Sequence, residues 1–293
     1  MIDGLRAEFP GVTAAITGLR RPIVGREPVF WAFLAAVGAG FIVSAIVGLL
    51  LFVGSPLVFR PTEPRPPWLT YANLTQTTAA FAVGAVALRA GGLRALAPYV
   101  AWSVLLLIAQ LPGRQLSCSR SGGIDPSLLG PCDLPGLMLS RWSTWLALAL
   151  GAAASRWLIA IGPAGANLTL RAAGVFGLVL TAAGTSYGLV TIATLGFGQL
   201  LFDFALTTAY LVAELVAGAL AGLILARSRS AAVVLVALLV LSGLASTLPN
   251  VRANWIPNMP LQMMFLSYSV AFAPVVGGVG IVVGWIVGRR RPA

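Results

Sequence analysis

Eight apolar runs recur along the chain, at 30–54, 72–88, 95–111, 137–160, 172–195, 200–226, 231–248 and 261–288. A helix needs about 20 apolar residues to cross the hydrocarbon core of a bilayer. The breaks between runs are short and hold residues that stop or turn helices. Ser55-Pro56 is followed by Pro61, Pro64, Pro66 and Pro67, Gly91-Gly92 lies between Arg89 and Arg94, and Leu111-Pro112, Gly162-Pro163 and Leu248-Pro249 close other runs. The pattern predicts an all-α integral membrane protein with eight transmembrane helices. Before the first run, residues 1–29 place Ile2, Leu5, Phe9, Val12, Ile16 and Leu19 every three or four positions, among Arg6, Arg20, Arg21 and Arg26. That period predicts an amphipathic helix lying in the interface, bent near Pro10. A short tail, 289–293, ends the chain with Arg289-Arg290-Arg291.

Composition removes the main alternative, a large soluble core. The 293 residues are 58% hydrophobic and only 9% charged, whereas soluble domains carry about 25% charged residues. The net charge of +11 does not point to nucleic acid, because every basic residue is an Arg and these lie around the ends of the runs and in the segments between them rather than in one patch. Membrane lipids with acidic headgroups are the partner such placement implies. With the N-terminus inside, only Arg60, Arg65, Arg114, Arg120, Arg141 and Arg252 fall on the outer side. The positive-inside rule then predicts a plasma (inner) membrane protein with both termini cytoplasmic. The polar loop 113–136, outside in this orientation, carries Cys118 and Cys132. A disulfide between them is expected there. It closes a short loop and is worth about 3 kcal/mol in the chain-entropy account.

No His and no Lys occur in the sequence. The usual ligands for haem iron or chlorophyll magnesium are therefore missing, as are a His-based metal site and a retinal Schiff base. No cofactor and no metal are predicted.

Internal similarity suggests a 4+4 parallel tandem repeat, with halves 30–160 and 171–288. Leu74-Thr75-Gln76-Thr77-Thr78-Ala79 resembles Phe204-Ala205-Leu206-Thr207-Thr208-Ala209, and the runs ending in Leu111-Pro112 and Leu248-Pro249 are followed by Pro135-Gly-Leu-Met-Leu-Ser and Pro260-Leu-Gln-Met-Met-Phe. An even number of crossings per half makes such repeats parallel. This alignment sets Asn73 opposite Asp203 and Gly84 opposite Glu214. Gly38, Gly40, Gly174, Gly177, Gly218, Gly222, Gly277, Gly278 and Gly280 are read as close-packing surfaces between helices.

Candidate chemistry concentrates in the run 200–226, which holds the only acids inside any run, Asp203 and Glu214. With Thr207 and Tyr210 they form one stripe at helical spacing, which must face the bundle interior or a wet cavity. Asp203 lies near the outer end, where a salt bridge to Arg141 is the plain structural reading. Glu214 lies near the midplane, either as a hydrogen-bonded packing residue or as a site for a cation, a proton or a cationic solute group. Gln76, Tyr187 and Tyr268 are further candidates to line a cavity. No P-loop, nucleophile elbow or paired catalytic carboxylates occur. The first reading is a permease, or the membrane subunit of a transporter, for a small solute or lipid, with a cytoplasmic ATPase partner if transport uses ATP. The second is a non-catalytic scaffold or accessory subunit of a larger membrane complex. A lipid-directed membrane enzyme comes third, and an enzymatic role is the less favoured.

Overall fold

The computed structural model describes residues 28–58, 71–120, 132–155, 168–193, 199–253 and 261–290. The N-terminal segment carrying the expected interfacial helix lies outside them. Among the described residues the chain is helical throughout, without a strand. Its helices are α1 (Val29–Val58), α2 (Tyr71–Gly91), α3 (Leu93–Arg120), α4 (Leu134–Ser140), α5 (Trp142–Ala154), α6 (Leu168–Ala193), α7 (Gln199–Ile224), α8 (Arg229–Ala253) and α9 (Leu261–Arg290).

Among the described residues, four stretches are long and apolar enough to cross a membrane: Val29–Leu51, Leu93–Pro112, Thr207–Ile224 and Ala273–Arg290. Shorter apolar stretches are Trp142–Ala154, Leu168–Ala183 and Arg229–Leu241. In α2, Thr75, Gln76, Thr77 and Thr78 interrupt the apolar run. Those threonines turn inward on their own helix: the Thr78 hydroxyl donates to the Leu74 carbonyl at 2.7 Å and Thr77 to the same carbonyl at 3.2 Å.

Three expected boundaries are corrected. α3 does not stop at Leu111-Pro112 but continues to Arg120, shortening the expected loop 113–136, and α8 passes Leu248-Pro249 to reach Ala253. α1 likewise runs past Ser55-Pro56. A proline removes one N–H and strains one turn, but the hydrogen bonds on either side remain, and apolar surroundings offer the freed groups no water to favour unwinding. The run 137–160, expected to be continuous, is instead broken at Arg141. There φ −98° and ψ 16° end α4 and begin α5, and the Arg141 carbonyl accepts from the Thr144 and Trp145 amides. The Gly91-Gly92 turn stands as expected. Gly92 takes φ 66°, a left-handed conformation that favours glycine.

Buried side chains are mostly alanines and form two clusters. One draws on α1, α2, α3 and α5 (Ala32, Ala35, Ala87, Leu148), the other on α6, α7, α8 and α9 (Ala173, Phe176, Ala221, Ile281). Small side chains let backbones approach, and association then rests on van der Waals contact. Large apolar residues point outward instead, among them Leu139, Leu150, Val212, Val233, Val234 and Val279. A monomeric soluble protein rarely presents such a surface.

The close approaches fall into matching sets. Gly84 of α2 lies against the Leu148 carbonyl of α5, and Gly151 of α5 against the Phe81 carbonyl of α2. In the same manner Gly218 of α7 lies against the Gly277 carbonyl of α9, and Gly280 of α9 against the Leu215 carbonyl of α7. One turn on, Gly222 meets the Ile281 carbonyl and Gly284 meets that of Ala219, so α7 and α9 run parallel. Between α1 and α6 the relation is reciprocal: Gly38 meets the Leu170 carbonyl and Gly174 meets the Leu34 carbonyl. The beginnings of these two helices also lie together, with the Arg171 guanidinium 4.7 Å from the centre of the Trp31 ring.

Helix neighbours correspond as well. α1 packs on α2 as α6 packs on α7, α2 on α5 as α7 on α9, and α3 on α6 as α8 on α1. The correspondence is incomplete: α8 packs extensively on α9, while α3 packs on α2 and on α4, the short helix that precedes α5. Overlaying the matched contacts sets Gly84 with Gly218, Ala80 with Glu214 and Gln76 with Tyr210. This register differs by one helical turn from the expected pairing of Gly84 with Glu214 and Asn73 with Asp203. Thr-Thr-Ala strings recur at helical spacing, so the sequence similarity tolerates that slip.

Candidate functional site

α7 carries the polar stripe that the sequence singles out. Thr207 is 1% exposed and Glu214 3% exposed, on the side of α7 that faces α6 and α9. The Tyr210 side chain, one turn before Glu214, hydrogen-bonds to its carboxyl. Glu214 Oε2 and Thr207 Oγ1 are buried without a hydrogen-bond partner among the described residues. The side chains of Asp203, Tyr187 and Tyr268, also candidates, lie outside the described ones.

Two neighbours that sequence reasoning missed define the surroundings of Glu214. A Cβ placed on Gly277 of α9 would stand 3.0 Å from Glu214 Oε2 and 2.8 Å from Cε2 and Cζ of Phe176. The carboxyl therefore fills space that Gly277 leaves open, with the Phe176 ring of α6 beside it. Phe176 in turn packs on Phe41 of α1, ring centres 5.5 Å apart and planes inclined by 59°. Glu214 thus sits where α6, α7 and α9 converge, one ring away from α1. An unpaired polar group in such a place costs roughly 1–3 kcal/mol and an unpaired charge several kcal/mol, so Oε2 calls for a proton, a cation or a donor.

A second polar group joins α2 to the break between α4 and α5. The Arg141 guanidinium donates a hydrogen bond to Gln76 Oε1. The residue that the sequence offered as a partner for Asp203 thus meets another of the candidates, Gln76. Arg141 arrives there because the chain breaks between α4 and α5 at that residue. Around the pair is a cavity of about 290 Å³ with a largely apolar wall, whose polar lining comes from Tyr99, Ser103 and Gln110 of α3, Thr144 of α5 and Thr181 of α6. The cavity lies between α3 and α5, which do not pack on one another as closely as α8 packs on α9. On the closed side, the Pro274 ring of α9 fits against Gly243 of α8.

The cavity at Gln76 and Arg141 and the buried acid share one element. α6 contributes Thr181 to the cavity wall and Phe176 to the Glu214 environment. Among the described residues no cluster of His, Cys, Asp or Glu is arranged to hold a metal ion.

No family model, curated protein or solved structure matches this chain.

Proposed function

We propose that the chain is a multi-pass membrane permease, or the membrane subunit of a transporter, for a small solute or lipid, in which Glu214 is the intramembrane charge site. The observation that carries this reading is a carboxyl buried to 3% exposure whose Oε2 lacks a partner among the described residues. Burial of such a group is costly unless it exchanges a proton or binds a cation, and an acid inside a membrane span is a functional group by default. The cavity at Gln76 and Arg141 is the place for the solute. α6, touching both, is the element through which occupancy of one alters the other.

The proposed setting is a plasma (inner) membrane, crossed eight times, with both termini cytoplasmic. Supporting it are the four long apolar helices and the outward-facing Leu and Val side chains. Arg89, Arg94 and Arg171 gather at the end of the bundle where α1 begins. The matched glycine contacts and helix neighbours support a parallel duplication whose axis passes between α1 and α6. A disulfide between Cys118 and Cys132 on the outer side belongs to the same proposal, as does a cytoplasmic ATPase partner if ATP drives the transport.

The test is solute or proton flux in proteoliposomes with Glu214→Gln, which keeps shape and removes the charge. Flux should fall at least tenfold while insertion and monodispersity are retained. Undiminished flux would remove Glu214 from the site.

A scaffold role is the second reading, favoured by the backbone contacts between α7 and α9 that follow Glu214, from Leu215 to Gly222. It requires stoichiometric partners in material purified from the native membrane and no flux by the reconstituted chain.

A further inference from the structure

We propose that the groove between α8 and α9 holds one acyl chain of an anionic phospholipid, with its phosphate at Arg229 and Arg289. This rests on the membrane setting proposed above but not on transport. The groove measures about 580 Å³ and is lined by Val233, Val236, Val240 and Leu241 of α8 and by Val282 and Trp285 of α9, with Arg229 at its mouth. Apart from Arg229 its walls are apolar, and its α8 wall extends from Arg229, the first residue of the helix, to Leu241. That is about 18 Å at 1.5 Å per residue, close to the depth of one leaflet, about 15 Å. The match to a single leaflet favours an acyl chain over a peptide helix or a compact solute.

Charge decides which lipid. Arg227, Arg229, Arg289 and Arg290 are all exposed at this end, and Gly288 lies against Ala226, which brings the end of α9 beside the turn between α7 and α8. The Arg289 guanidinium lies 4.5 Å from the centre of the Trp285 ring, which itself lines the groove. Stacking holds that cation over the groove mouth. No acidic side chain lines the groove. Cationic side chains above an apolar slot complement a phosphodiester above a hydrocarbon chain, and basic clusters at the ends of spans recruit anionic headgroups.

The experiment is native mass spectrometry of the full chain released from nanodiscs of equal phosphatidylglycerol and phosphatidylcholine. Phosphatidylglycerol should be retained about tenfold over phosphatidylcholine, at one molecule per chain. Arg229→Gln with Arg289→Gln should remove that preference, and Ala237→Trp, which fills the slot and leaves the charges, should remove the bound lipid. Ala237 is exposed, so the substitution does not disturb the core. Equal retention of the two lipids by the native chain, or unchanged retention in either variant, overturns the proposal. Recovery of the chain in the soluble fraction without detergent would instead refute the membrane setting, a separate outcome.

Discussion

Glu214 Oε2 lies 3.0 Å from the point that a Cβ on Gly277 would occupy, so the acid on α7 depends on a glycine on α9 for its place. The Phe176 ring edge is 2.8 Å from the same point. Gly277→Ala must push one of the two aside. The expected result is a loss of flux of at least tenfold with the carboxylate still present, and a stability cost of about 1–3 kcal/mol from overpacking. Flux assays beside a thermal melt in detergent separate the two effects.

A second prediction compares equivalent glycines. Gly84→Val and Gly218→Val each drive a side chain into a facing carbonyl, of Leu148 and Gly277 respectively. Both should abolish recovery of monodisperse protein, because backbone cannot move aside as a side-chain tip does. Gly278→Ala meets Val240 at 3.4 Å and Val236 at 3.5 Å, which is ordinary contact, and should express as the native chain does. Size-exclusion profiles of the three variants decide the matter, and a well-behaved Gly218→Val protein would contradict the described packing.

Gln76 and Arg141 should be energetically coupled. A hydrogen bond from a guanidinium is worth about 1.5–3 kcal/mol, so the single changes Gln76→Ala and Arg141→Ala should each destabilise and the double change should cost less than their sum. Denaturant unfolding of the four proteins provides the cycle. Additivity would mean that the contact contributes nothing.

The cysteines give a prediction on topology. A membrane-impermeant thiol reagent applied from outside should label neither Cys118 nor Cys132 before reduction, and both after it. Labelling from the cytoplasmic side without reductant would reverse the proposed orientation.

Much of the fold can be read from the sequence, and the rest fails for identifiable reasons. Apolar runs and Gly91-Gly92 report helices and a turn because both depend on local chemistry. Leu111-Pro112 and Leu248-Pro249 mislead, because a proline in apolar surroundings costs one hydrogen bond rather than the helix. The glycines of α1, α6, α7 and α9 are legible as contact surfaces, but which carbonyl each one meets is not. A backbone contact has no signature beyond a small residue, and so the register of these contacts differs by a turn from the one the Thr-Thr-Ala strings suggest. For the site, Glu214 is conspicuous as an acid among apolar residues. Phe176 is not, being one aromatic among many, and the approach of Arg141 to Gln76 follows from a helix break that no proline or glycine announces.

Where α1 crosses α6, Gly38 and Gly174 each face a main-chain carbonyl rather than an interlocked side chain. Interdigitated side chains act as teeth, since relative movement must lift each out of its socket. At the crossing point itself the backbones meet with no rotamers to reset, and only the Phe41–Phe176 ring pair further along must give way. If the two halves tilt against one another, this crossing is the fulcrum, and a bulky residue at either glycine would jam it.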